Sequence, residues 1–240
     1  MRTTVKQKRT MVLLVILLLL IAAVYVYLFM GSRVKNASDE VTKGDAGTKS
    51  LVVYFSRYGE LAGDVDAVTS ATPNSNADMD ENESDTGAAA KMIQNLTGAD
   101  LYQIHTKRYY RKAFSGTAAT AWIEETLNLR PKLAAQPENL DDYDTIYIGY
   151  PIWWFNAPMA VGTFLESYDW SGKTLVPFCT SQDNGIDTSM DFIKENAKGA
   201  NILEGHRVHR ESLEDVASWI QSIGIQMQSN SENNNEKTSK

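Results

Sequence analysis

The sequence predicts one doubly wound α/β domain, a five-stranded parallel sheet between about Leu51 and Ile225, behind a single N-terminal membrane-spanning helix. Three observations predict it. Short apolar runs rich in β-branched and aromatic residues recur through the middle of the chain, stretches with helical periodicity separate them, and an uncharged run of twenty residues, Met11–Met30, precedes them all. Strands that alternate with helices imply a parallel sheet covered on both faces.

The chain opens with a basic segment, residues 1–10, carrying Arg2, Lys6, Lys8 and Arg9. As a helix rising ~1.5 Å per residue, the apolar run 11–30 spans roughly 30 Å, the thickness of a hydrocarbon core. Tyr25 and Tyr27 lie near one end, where an interfacial aromatic belt belongs. The basic leader puts the N-terminus in the cytoplasm and the domain on the far side of the cell membrane, as a single-pass extracytoplasmic protein. A cleaved signal peptide has a shorter apolar core of ~7–15 residues ending in a small-residue site, so the expectation is a retained anchor. Residues 31–49 are polar and read as a flexible linker with a reach of roughly 25 Å. The last stretch, 226–240, reads as a disordered tail.

Within the domain, Leu51–Phe55 is continuously apolar, as a strand buried on both faces should be. Thr86–Thr97 places Ala89, Met92, Ile93 and Leu96 on one helical stripe, and Gly98 stops it. Asp100–His105 is the second strand and Ala118–Leu129 the next helix. Thr145–Tyr150 is the third strand, and Ala157–Tyr168 is a helix that tolerates Pro158 in its first turn. Lys173–Cys179 is the fourth strand, where Pro177 marks a strand end or a bulge. Asp187–Lys198 is helical, a fifth strand falls near Asn201–Glu204, and Ser212–Gly224 closes the domain behind a capping-box pattern.

Composition excludes some functions. The formal charge is −7 although four cations sit in the first ten residues, so the globular part is acidic and repels phosphate backbones. The only cysteine, Cys179, rules out an internal disulfide and any cysteine-built metal site. His105, His206 and His209 are scattered, with no third ligand near the last two. The basic cluster Lys107–Lys112 reads first as a solvated loop; lipid headgroups or a dinucleotide phosphate are its other possible contacts.

In doubly wound sheets ligands sit beyond the carboxyl ends of the strands, where strand order reverses. After the first strand come Ser56, Arg57 and Gly59, a hydroxyl, a cation and a flexible backbone suited to a phosphate nest. After the third come Pro151, Ile152, Trp153, Trp154, Phe155, Asn156, Ala157 and Pro158. Consecutive aromatic rings there can stack on a planar heterocycle; alternatively Trp153 and Phe155 cap the core while Trp154 is exposed. After the fourth come Thr180, Ser181 and, further on, Gly185, polar groups able to read a ring edge.

The runs VVYFSR-x-G, YDTIYIGYPIWWFNAPMAVGTFLE and KTLVPFCTSQDNG, in this order and spacing, resemble the flavodoxin family, in particular its bacterial flavodoxin-like branch. The resemblance implies the strand order 2-1-3-4-5 and non-covalent FMN. It implies a phosphate loop at Ser56, Arg57 and Gly59. It places Pro151, Ile152, Trp153, Trp154, Asn156 and Ala157 beside the isoalloxazine ring, with Thr180, Ser181 and Gly185 in the third loop. The pattern departs from the family where Glu60 replaces an Asn and an acidic insertion, residues 60–85, delays the first helix. The expectation is that the insertion loops away and that Ser84, Thr86 and Gly87 complete the cradle at the helix N-terminus. The function implied is a membrane-anchored FMN protein passing electrons to a redox partner protein or a small-molecule acceptor. The alternatives are an NAD(P)H-dependent quinone or small-molecule reductase, and a flavin-free interaction module of the same fold.

Overall fold

The run Leu51–Phe55 does become a strand buried on both faces: β1, Ser50–Phe55, is an interior strand of the sheet with Leu51, Val53 and Phe55 in one core and Val52 and Tyr54 in the other. The structure is a computed structural model that describes residues 5–29, 33, 39–44, 48–56, 85–111, 114–181, 184–208 and 213–227. Arg57, Gly59, the insertion as far as residue 84 and the tail from residue 228 lie outside the described residues.

Along the chain come α1 (Val5–Phe29), β1, α2 (Asp85–Thr97), β2 (Asp100–Ile104), α3 (Phe114–Thr126), β3 (Thr145–Pro151), α4 (Met159–Leu165), β4 (Thr174–Thr180), α5 (Asp187–Asn196), β5 (Asn201–Ile202), β6 (His206–Val208) and α6 (Leu213–Ser222). The strands pair in the order β2-β1-β3-β4-β5, all parallel, with β6 also on β4. Helices α2 and α6 cover one face and α3, α4 and α5 the other, each closing its own apolar core. Helix α3 stops at Thr126, short of the expected Leu129, because the chain turns left-handed at Asn128, φ 50°.

The fifth strand departs from expectation. In place of one run at Asn201–Glu204 it is split into β5 and β6, and Pro177 gives the reason. The carbonyls of Lys173 and Leu175 accept from the amides of Asn201 and Leu203, so odd-numbered residues of β4 face the fifth strand. Pro177 is next in that series and has no N–H to offer. β4 itself runs straight through, with Pro177 opposite Ile148, and the interruption appears on its neighbour. Gly205 passes so close there that a Cβ would lie 3.1 Å from the Pro177 carbonyl oxygen.

Gly149 in β3 is equally constrained, since a Cβ would sit 2.1 Å from Cζ of the buried Phe178 ring. The segment expected to be a free tether is partly seated on the sheet. Thr42 and Leu101 exchange backbone hydrogen bonds of 2.9 and 2.8 Å, extending the β2 edge. The Asp100 carboxylate accepts from Lys43 Nζ at 2.7 Å, Gly44 N at 2.8 Å and Tyr143 Oη at 2.6 Å. Burial pushes this carboxyl up, but the hydrogen bonds outweigh that and hold it below its ordinary range.

Helix α1 is exposed on all sides and is long and apolar enough to cross a bilayer, as an anchor or a signal sequence is. Its last turn meets the domain, where the Arg111 guanidinium lies over the Tyr27 ring, 4.5 Å from the centroid.

Candidate cofactor site

Three strand ends and one helix start converge at the carboxyl edge of the sheet. Ser56 follows β1 directly and is buried. Thr86, fully buried in the first turn of α2, brings its Oγ1 to 2.7 Å from Oγ1 of Thr180 at the end of β4. This bond joins residues 94 apart in sequence and ties the start of α2 across the sheet edge. β3 and β4 end in register, Pro151 opposite Thr180, and the Ile152 amide donates to the Thr180 carbonyl at 3.0 Å. Ser181 Oγ accepts from Asn184 N at 3.0 Å, and Gly185 O accepts from the Thr188 hydroxyl.

The loop after β3 is a two-residue reverse turn. Trp153 and Asn156 exchange backbone hydrogen bonds of 2.8 and 2.9 Å, with Trp154 and Phe155 between them at φ 49° and 66°. Positive φ at both central positions is the type I′ geometry, which ordinarily selects Asn and Gly. A Trp and a Phe there are strained, and such strain persists only where surrounding structure fixes it. The neighbours supply that. Trp154 Nε1 donates to the Ala118 carbonyl at 2.9 Å, and Asn156 Oδ1 accepts from the Ala157 amide at 2.8 Å. The Glu125 carboxyl, raised by burial, also bonds the Asn156 side chain.

The three aromatics therefore separate. Trp153 is 2% exposed, its ring edge-on to Phe55 at 5.4 Å and to Tyr110 at 5.0 Å. Trp154 is 40% exposed and Phe155 63%. Trp153, Ile152 and Ala157 are thus a buried footing, and the outward surface of the turn belongs to Trp154 and Phe155. The footing extends to a pair absent from the sequence reading: Tyr110 Oη donates to Glu124 Oε2 at 2.7 Å. Burial pushes the Glu124 carboxyl up to about 7, and the Tyr110 bond only partly opposes it. These two residues are fourteen apart, on a loop and a helix, and no motif links them.

Chemically, the hydroxyls of Ser56, Thr86 and Thr180 beside the positive end of α2 suit a phosphate. The outward Trp154 and Phe155 suit a planar ring. The half-buried Asp85, also in the first turn of α2, is the one group described there that opposes an anion. Cys179, one residue before Thr180, is buried and its thiol is pushed up to about 12, so it offers no thiolate.

A family model described as flavodoxin matches residues 81–223. The chain belongs to the flavodoxin family. The match begins inside the acidic insertion and runs from α2 to α6, across the loops after β3 and β4, and leaves out β1 and Ser56. Three solved structures are similar to the chain. A candidate flavoprotein from Bacteroides eggerthii is 29% identical, with a TM-score of 0.59 over 75% of this chain and 100% of that one. A candidate flavoprotein from Bacteroides uniformis is 32% identical, with a TM-score of 0.57 over 73% of this chain and 99% of that one. A flavoprotein in complex with FMN from Lactobacillus acidophilus is 18% identical, with a TM-score of 0.49 over 67% of this chain and 93% of that one. No curated protein matches the chain.

Proposed function

We propose that this member of the flavodoxin family binds FMN at the sheet edge and passes electrons between partners while α1 holds it to a membrane. The observation that carries the reading is the Thr86–Thr180 contact, which sets the start of α2 against the end of β4 in a chain of the flavodoxin family. FMN, when bound, supplies the redox chemistry; the protein binds it, orients it and tunes it. Ser56, Thr86 and Thr180, with Arg57 and Gly59 of the same loop, are the groups proposed to hold the phosphate. Trp154 offers the ring face, Phe155 extends it, and Pro151, Ile152, Trp153, Asn156 and Ala157 fix the turn. Ser181 and Gly185 are proposed to line the opposite side.

One observation favours a second reading, the flavin-free module: Asp85 puts a carboxylate in the first turn of α2, where the phosphate is proposed to bind.

The carrier reading is tested on the full-length protein in neutral detergent, loaded with FMN and photoreduced without oxygen. The reduced protein should hand electrons rapidly to a one-electron acceptor such as ferricyanide and should not oxidise NADH or NADPH at steady state with a quinone present. Sustained nicotinamide oxidation would replace the carrier by the reductase. Whether α1 is a retained anchor is read separately, by alkaline extraction of membranes.

A further inference from the structure

A cavity of about 320 Å³ lies where the end of α1 meets the domain, and it belongs to none of the cofactor loops. Tyr25 and Phe29, stacked on each other at 5.2 Å, form one wall. The opposite wall comes from two backbone segments, residues 106–110 and 129–132. These segments are braced as a short antiparallel pair: Lys107 N donates to Lys132 O at 2.7 Å, Ala134 N to His105 O at 2.8 Å, and Thr106 bridges Leu133. The bracing holds Lys107, Arg108, Arg130 and Lys132 together on the lining of one cavity.

Arg130 is paired with Glu166 at 2.7 Å, but among the described residues no carboxylate lies within ion-pair distance of Lys107 or Lys132. The one carboxyl in the wall, Glu124, is 5% exposed, and burial favours its neutral form more than usual, against the partial opposition of its bond from Tyr110. The chamber is therefore cationic along one wall and aromatic along the other, in a protein that is acidic as a whole.

We propose that this cavity is a binding site for a phosphate-bearing ligand with an apolar portion, the phosphate held by Lys107 and Lys132 and the apolar part by Tyr25 and Phe29. Cations carried on a braced backbone suit a phosphate, and the aromatic wall suits an acyl chain or a ring. Two sources offer that chemistry: an anionic phospholipid and a soluble phosphate ester. The lipid source rests on the reading of α1 as a membrane anchor, since its interfacial end would then lie at headgroup depth. The soluble source does not.

The test uses the full-length protein in a neutral, phosphate-free detergent, titrated separately with short-chain phosphatidylglycerol and with inorganic phosphate, and followed by calorimetry and phosphorus NMR. The double variant Lys107→Gln/Lys132→Gln is compared with a charge-matched control, Lys194→Gln/Lys198→Gln on and beyond α5. All four lysines are exposed, so melting temperatures should stay within a degree or two of the parent. The expected result is saturable binding of the lipid, weakened about tenfold or more in the first variant and unchanged in the control. If only inorganic phosphate binds, with the same dependence on Lys107 and Lys132, the site stands and its ligand is soluble. No saturable binding of either probe, or equal loss in both variants, would overturn the proposal. Neither lysine belongs to the cofactor loops, so a phosphate bound there is not mistaken for one bound here.

Discussion

At the scale of single residues, the turn after β3 concentrates the unusual features. Trp154 and Phe155 sit at positive φ, where an ordinary side chain costs about 1–2 kcal/mol and glycine almost nothing. Phe155 is mostly exposed, so its removal forfeits little packing. Phe155→Gly should therefore raise the stability of the flavin-free protein by about 1 kcal/mol in denaturant unfolding. It should also weaken FMN binding several-fold, because the aromatic edge is lost. A variant that loses stability would show that the turn stores no strain. Glu124 makes a pH-dependent prediction. Its carboxyl is raised in the fold, so the folded state holds a proton that the unfolded chain releases. Stability from this group is greatest below its ordinary value near 4.5 and falls as pH rises towards about 7. Glu124→Gln keeps an acceptor for Tyr110 and removes the titration. Wild type should thus lose on the order of 2–3 kcal/mol relative to the variant between those limits. Parallel stability–pH curves would exclude the effect.

At the scale of elements, the start of α2 and the end of β4 are bound by one hydroxyl pair in a buried place. Thr86→Val keeps the shape but strands the Thr180 hydroxyl, costing about 1–3 kcal/mol, whereas Thr86→Ser should stay within about 1 kcal/mol of wild type. FMN affinity should follow the same order in fluorescence titration; equal behaviour of the two variants would mean that the bond organises nothing. The elements also show where the sequence was legible. β1, β3 and β4 are short and apolar, and a parallel sheet allows such runs only one place, its interior. Pro177 was readable as a disturbance, but not as one displaced onto the neighbouring strand, because its missing N–H matters only once the register is known. The seating of residues 39–44 was hidden for a similar reason. Their composition is that of a linker, and they are held through backbone bonds to Leu101 and through the Asp100 carboxylate, a partner far along the chain.

At the scale of the whole molecule, the positions of the loops after β3 and β4 at the sheet edge were legible, and which aromatic of the first loop turns inward was not. Three aromatics in succession carry no period, so the sequence left open which ring turns inward. The fold turns Trp153 inward by presenting Phe55 and Tyr110 from other elements, and leaves Trp154 and Phe155 outside. The phosphate side is the more demanding part. Its cradle must close between Ser56 and Thr86 across the insertion, with Asp85 beside it. A flavin phosphate will be tolerated only if the hydroxyls, the Arg57 cation and the end of α2 outweigh that carboxylate. The central claim is therefore FMN binding itself. The most direct measurement is a titration of FMN fluorescence with the purified full-length protein, followed by the visible spectrum of the complex. The account predicts quenching that saturates at one FMN per chain and a yellow protein that releases intact FMN on denaturation. A colourless protein that leaves FMN fluorescence unchanged would contradict it.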